Sequence, residues 1–259
     1  MEVLQPDSWP EALELKATHP DAVAIAGGTD LMVELNFDRL RPARVLDLTQ
    51  IEELTQWGPE NGHLRVGAGV TYARLIAELG ERLPGLAIAS RTVGSPQIRN
   101  RGTVGGNLGT SSPAGDALPP LFTSDAEVEL VSRTGARRVP VGEFVTGPKR
   151  NCLAEDELIA AFHIAPADGP QQFAKIGTRN AMVIAVCSLA VSAGDELRAS
   201  FGSASPRPVL VTAPRDEASS FAERVAEAAA PIDDVRGSER YRRHALRVLT
   251  ERALKRVLA

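Results

Sequence analysis

Two glycine-paired segments constrain this 259-residue chain more than any other feature: IAGGTDL at residues 25–31 and TVGGNLGTSSPAGD at residues 103–116. They lie about 75 residues apart, and each reads as the turn that closes an apolar strand. Glycine takes positive φ without steric penalty, so successive backbone N–H groups of such a turn can converge on one concavity. A helix starting just after the turn adds a partial positive charge. Gly27 and Gly28 form such a turn before a helix, and that suits a phosphate. Gly105 and Gly106 repeat the device, with Thr103, Asn107, Thr110, Ser111 and Ser112 supplying hydroxyl and amide groups at short range. Asp116 is the lone acid of this stretch. A carboxylate repels phosphate, so its partner is read as a hydroxyl or ring N–H of a bound molecule. Either segment alone reads equally well as a plain turn, with Asp116 as a helix cap. Together they favour a ligand that combines a diphosphate with a donor-rich part, and a dinucleotide has both.

Composition narrows the alternatives. At 43% hydrophobic and 24% charged, the chain can bury a core without disulfide or metal staples. A net charge of −4 argues against a general nucleic-acid binder. No apolar run is long enough to span a membrane, and the acidic N-terminus carries no signal-peptide pattern, so a cytoplasmic location is expected. Cys152 and Cys187 are far apart, read as buried free thiols, and no C-x-x-C supplies an iron–sulfur or zinc ligand set. The four histidines are scattered. GAGVTY lacks the third glycine of the dinucleotide fingerprint, Pro148 interrupts GEFVTGPK before Lys149, and no G-x-S-x-G elbow occurs, so hydrolase and P-loop readings fall.

The element pattern predicts a helix in SWPEALELKATHP, with Ser8 as cap and Leu13 and Ala17 on one face, then a strand in DAVAIA. DLMVELNFDRL reads as a helix capped by Thr29 or Asp30. Strands follow in ARVLDLTQI and HLRVGAGVTY, then broken helix to residue 94. AEVELVSR and RRVPVGEFV read as strands around Thr134-Gly135. A boundary falls near IAPADGPQQ. Beyond it, residues 173–205 read as two strands about a polar turn, followed by two helices. The last helix shows an apolar stripe at Tyr241, Ala245, Leu249 and Ala253, its arginines forming a solvated face. In FAKIGTRNAM, Lys175 and Arg179 flank a turn at Gly177, and Lys175 can neutralise a phosphate or an electron-rich ring. This order is α+β rather than a regular βαβ alternation.

AGGTDL, SPQIRNRGTVGGNLGTSSPAGDALPPL, FAKIGTRNAM and IDDVRGSERYRRHAL, in that order, resemble the medium, FAD-binding subunit of the molybdenum hydroxylases, the group of xanthine dehydrogenase and carbon monoxide dehydrogenase. The likeness runs over nearly the whole chain. It implies an α+β fold of the FAD-binding PCMH type: residues 1–168 as two α+β lobes (about 1–56 and 57–168) with FAD between them, then a C-terminal α+β domain of strands and helices over residues 169–259. It implies that Ala26, Gly27, Gly28, Thr29 and Asp30 wrap the diphosphate with their backbone, as do Thr103, Val104, Gly105, Gly106 and Asn107 from the second lobe, with Ile25 and Ser111 in the same site. Asp116 matches the acid that bonds the flavin nucleotide, Lys175 a lysine near the cofactor, and Ile159 an apolar flavin-side position. Val93 stands where some relatives carry an aromatic, and Val183 near a place where the family often has an acid.

The function so implied is electron transfer. A large subunit would hold the molybdenum cofactor and hydroxylate a substrate with water, and a small iron–sulfur subunit would carry electrons through 2Fe-2S clusters. This chain would receive them on FAD and pass them to NAD, oxygen or another acceptor, within a hetero-oligomer. Two alternatives stay open. A freestanding FAD-dependent oxidase or dehydrogenase needs a base near the flavin, and the loops offer only Asp116, Lys175 and Arg179. A non-enzymatic scaffold would have lost the cofactor.

Overall fold

The computed structural model describes residues 1–259. The first unit is a three-stranded parallel sheet of order β1-β3-β2, built from β1 (Glu2–Leu4), α1 (Trp9–Thr18), β2 (Val23–Ile25), α2 (Leu31–Asn36) and β3 (Arg44–Asp47). Ser8 caps α1, its hydroxyl accepting from the Glu11 N–H at 3.4 Å. The buried face of α1 is Ala12 and Lys16, not Leu13 and Ala17. A lysine fits there because its apolar stem is covered while the ammonium donates to the Pro20 and Ala22 carbonyls at 2.8 and 2.9 Å.

The second unit follows a 3₁₀ turn over Glu52–Thr55. Its chain order is β4 (Trp57–Glu60), β5 (His63–Gly67), α3 (Tyr72–Glu78), α4 (Pro84–Arg91), α5 (Pro96–Arg101), α6 (Val104–Thr110), α7 (Leu118–Thr123), β6 (Glu127–Ser132), β7 (Gly135–Pro140), α8 (Val141–Phe144), β8 (Val145–Gly147), β9 (Arg150–Asn151) and β10 (Leu158–Ile164). The last strand inserts at the centre of an antiparallel sheet of order β4-β5-β10-β6-β7. Gly135 opens β7 opposite Ser132, so the hairpin turn is Arg133-Thr134, one residue earlier than the glycine suggests. One face of the sheet packs Leu64, Val66, Val128, Leu130 and Phe162 against the helices.

The third unit is an antiparallel meander of β11 (Gln171–Ile176), β12 (Cys187–Ala193), β13 (Glu196–Gly202) and β14 (Val209–Pro214), backed by α9 (Ala218–Glu227) and α10 (Glu239–Val257). Four strands stand where the sequence suggests two. Every residue of β12 is buried, so no alternation marks where it begins, and β14 is a short apolar run close to Pro206 and Pro208. In α10 the stripe holds from Ala245 onward, but Tyr241 is 46% exposed and Arg242 only 1%. Arg242 is therefore no part of a solvated face. Its guanidinium donates to the Ser203 carbonyl and to Asp234 in the loop before the helix.

Candidate functional site: an interlobe cleft

The two glycine segments are in contact. After β2 the chain turns through Ala26, Gly27 and Gly28 into α2, and only Gly28 has positive φ, at 73°. Gly27 is required for another reason. A Cβ there would lie 2.0 Å from the Arg101 carbonyl oxygen and 2.9 Å from Gly102 Cα. Gly105 likewise rests on the backbone of Ala68, where a Cβ would meet the carbonyl oxygen at 2.5 Å. Gly105 and Gly106 do not form a left-handed turn after a strand. They occupy the first turn of α6, preceded by α5, with Thr103 as N-cap accepting from the Gly106 N–H at 2.8 Å. In both segments the absence of a side chain lets two backbones touch.

Around this contact lies a cleft of about 700 Å³. Ala26, Gly27 and Asp30 line it from one side, and Thr103, Gly105, Gly106 and Ile159 from the other. Two side-chain bonds join its walls. Thr110 Oγ1 donates to Asp30 Oδ2 at 3.1 Å, and Lys149 Nζ to Glu34 Oε1 at 2.9 Å. Asp30 occupies the N-cap position of α2 but makes no capping bond, because its carboxylate reaches the other lobe.

Other expected site residues lie away from the cleft lining. Val104 is fully buried. Ile25 ends β2, and Gly28 and Thr29 belong to the turn after it; none of the three lines the cleft. Ser111 is the left-handed C-cap of α6, and its hydroxyl donates to the Leu108 carbonyl at 2.6 Å. Val93 packs against the core of the second unit.

Asp116 and Lys175 come together in a separate buried cluster. Lys175 Nζ reaches Asp116 Oδ2 at 2.5 Å and the Thr92 carbonyl at 3.3 Å, while Thr92 Oγ1 donates to Asp116 Oδ2 at 3.1 Å. Burial pushes the Asp116 carboxyl above its usual range; Lys175 and Thr92 oppose this without cancelling it. Asp116 is not a helix cap, since Ala117 holds that position before α7. Asp116 Oδ1 and Asn107 Oδ1 are buried without partners.

The sequence reading overlooked Lys16, Leu31, Glu34 and Arg101, which also line the cleft. Leu31 closes the first glycine segment with Glu34 three residues on, and Arg101 stands two residues before the second, so proximity in sequence could have found them. Lys16 arrives through the α1 fold alone. No group of three or more His, Cys, Asp or Glu side chains is placed to hold a metal ion, and no helix is long and apolar enough to cross a membrane.

Residues 1–167, which carry both cleft walls, match the family model described as the FAD binding domain in molybdopterin dehydrogenase. The chain belongs to this family. Over 273 aligned residues it is 31% identical to a putative xanthine dehydrogenase FAD-binding subunit of Escherichia coli, covering 96% of this chain and 93% of that protein. It is 40% identical over 166 residues to the caffeine dehydrogenase subunit beta of a Pseudomonas species, covering 62% and 56%. Its fold superposes on quinoline 2-oxidoreductase of Pseudomonas putida 86 with a TM-score of 0.91 at 26% identity, over 99% of this chain and 96% of that one. Carbon monoxide dehydrogenase of Hydrogenophaga pseudoflava gives a TM-score of 0.91 at 24% identity, over 100% and 97%. The architecture is thus the α+β fold of these FAD-binding molybdopterin dehydrogenase chains. The family cofactor, FAD, fits the cleft on two observations. The volume is in the range of sites that enclose a nucleotide-sized ligand. At Gly27, Gly105 and Gly106, which all line the cleft, no side chain is present, so main chain is what faces a diphosphate there.

Proposed function

We propose that this chain is the electron-transfer FAD subunit of a multi-subunit molybdenum hydroxylase or dehydrogenase. The observation that carries the reading is the meeting of Gly27 and Gly105–Gly106 on one cleft, from elements about 75 residues apart in sequence. Bound there, FAD would accept electrons from the 2Fe-2S clusters of a small iron–sulfur partner, fed by a large molybdenum-cofactor partner, and release them to NAD or another acceptor. The chain's own residues bind and orient. The backbone of Ala26, Gly27, Thr103, Gly105 and Gly106 would hold the diphosphate, with the rest of residues 25–30 and 103–107 shaping those turns, and Ile159 with the apolar lining would cover a ring. Asp116, Lys175, Val93 and Ser111 would complete the site from the second layer. Residues 1–168 then act as the FAD-binding unit, with lobes of about 1–56 and 57–168, and residues 169–259 as a C-terminal unit that delivers Lys175 to it. A cytoplasmic hetero-oligomer is the natural setting.

A titration of the full chain with FAD, followed by flavin fluorescence, tests the binding half: quenching that saturates near one FAD per chain supports it, and unchanged fluorescence refutes it. Reconstitution tests the transfer half. Flavin bleaching by reducing substrate only when the iron–sulfur and molybdenum partners are present supports a subunit role. Bleaching by a small substrate with the chain alone would instead favour a freestanding oxidase or dehydrogenase.

A further inference from the structure

The charges along the cleft are unbalanced against the ligand proposed for it. Five acids line it (Asp21, Asp30, Glu34, Glu155 and Glu157) and three cations (Lys16, Lys149 and Arg101). Most are already engaged. Lys149 is held by Glu34 at 2.9 Å. Lys16 spends its ammonium on the Pro20 and Ala22 carbonyls. Asp21 and Glu157 are ion-paired with Arg44 and Arg137 at 3.1 and 2.6 Å. Asp30 and Glu155 have no cationic partner, Lys16 keeps its charge but has its donors on neutral carbonyls, and Arg101 is the cation whose donors are free, within a lining that is net negative as a whole. An anionic diphosphate entering this space meets net negative charge unless a cation turns toward it.

Arg101 is placed for that. It ends α5, and its carbonyl is the atom against which Gly27 packs, so it stands at the junction of the two glycine segments. Its side chain is exposed, lines the cleft, and makes no hydrogen bond or ion pair within the chain. The contrast with Arg99 on the same helix is informative. Arg99 donates to the Val93 and Gly94 carbonyls at 3.0 and 3.1 Å and so ties the preceding turn. Arg101 has no such task, and a guanidinium matches phosphate oxygens through paired N–H donors.

We propose that Arg101 is a cofactor-binding residue of this chain: its guanidinium supplies the positive charge for the diphosphate of the dinucleotide, where the backbone of the glycine segments supplies only neutral donors. This rests on the FAD reading above. The interaction lies at a solvent-open mouth, so it is sensitive to salt.

The test is equilibrium binding to the full chain, by flavin fluorescence for FAD and riboflavin and by calorimetry for ADP, in wild type, Arg101→Gln and Arg101→Lys. The expected result is FAD and ADP affinity roughly tenfold weaker in Arg101→Gln, equivalent to about 1.4 kcal/mol. A flatter dependence of log Kd on log salt, unchanged riboflavin binding, and substantial recovery in Arg101→Lys are also expected. Unchanged circular dichroism and melting temperature show that the fold is kept. If Arg101→Gln binds FAD and ADP as wild type does, with the same salt dependence, the proposal is overturned while the FAD reading stands. If wild type binds neither FAD nor ADP, both are overturned.

Discussion

Lys175 of β11 and Asp116 of the loop before α7 form an ion pair at 2.5 Å, with only 9% and 6% of their side chains exposed. The pair joins the C-terminal meander to the unit that carries the second glycine segment. Removing the lysine leaves a buried carboxylate without its counter-charge, which costs about 3–5 kcal/mol in comparable settings. Lys175→Met is expected to lower stability by that order at neutral pH in urea unfolding. The loss should shrink as pH falls toward the carboxyl's ordinary 3.8 and be largely gone there: a carboxyl raised above 3.8 contributes stability that is present below that value and lost as pH rises through the raised one. A loss under about 1 kcal/mol, flat with pH, would contradict the buried-pair account.

Asp234 carries the opposite sign. Burial works against its carboxylate, but hydrogen bonds from Arg236 and Arg242 outweigh it and hold the group well below the ordinary range. Such a group contributes stability above pH 3.8, lost as pH falls through the depressed value. Asp234→Asn is expected to cost about 2–3 kcal/mol at pH 7, because it leaves the buried Arg242 charge poorly paired. The gap between mutant and wild type should begin to close only as pH falls below 3.8.

The glycines should separate by mechanism. Gly105→Ala forces a Cβ to 2.5 Å from the Ala68 backbone and Gly27→Ala to 2.0 Å from the Arg101 carbonyl, so each is expected to destabilise by about 1–3 kcal/mol. Gly106→Ala meets only Thr103 Oγ1, at 3.1 Å, and gains helix propensity. Its melting temperature should stay within a few degrees of wild type, about 1 kcal/mol. Equal losses at all three positions would show that close backbone approach is not the reason for these residues.

Thiol labelling should distinguish the cysteines. Cys187 is fully buried in β12 and its thiol is pushed up to about 12 by burial, whereas Cys152 is half-buried. One equivalent of a small maleimide is expected to react with native protein, mapping to Cys152 by peptide mass, and a second only on unfolding. Rapid native labelling of Cys187 would show that the meander opens.

Much of this was legible along the chain, for identifiable reasons. Helix α1 was marked by Ser8 and Pro10, and Gly28 by a turn that needs positive φ. Such signals are local: cap, turn and strand are decided within a few residues. Thr103 shows where the same logic misleads. Its glycines look like a turn, but they begin a helix whose small residues serve contact with Ala68, far off in sequence order from the turn's own neighbours. Arg242 misled in the same way. Spacing put it on a solvated face, and only the Asp234 loop and the Ser203 carbonyl explain its burial.

The sequence by itself determined that two glycine-paired segments stood ready to expose backbone donors, that the chain was α+β, and which residues could supply donors. Only the tertiary structure decided that those segments touch one another and share a cleft, that Asp116 meets Lys175 outside its lining, and that Arg101 alone among its cations keeps a free guanidinium. The reason is physical. Residue type and short spacing set what a segment can do locally, whereas pairing of charges and approach of backbones depend on packing between units that no periodicity encodes.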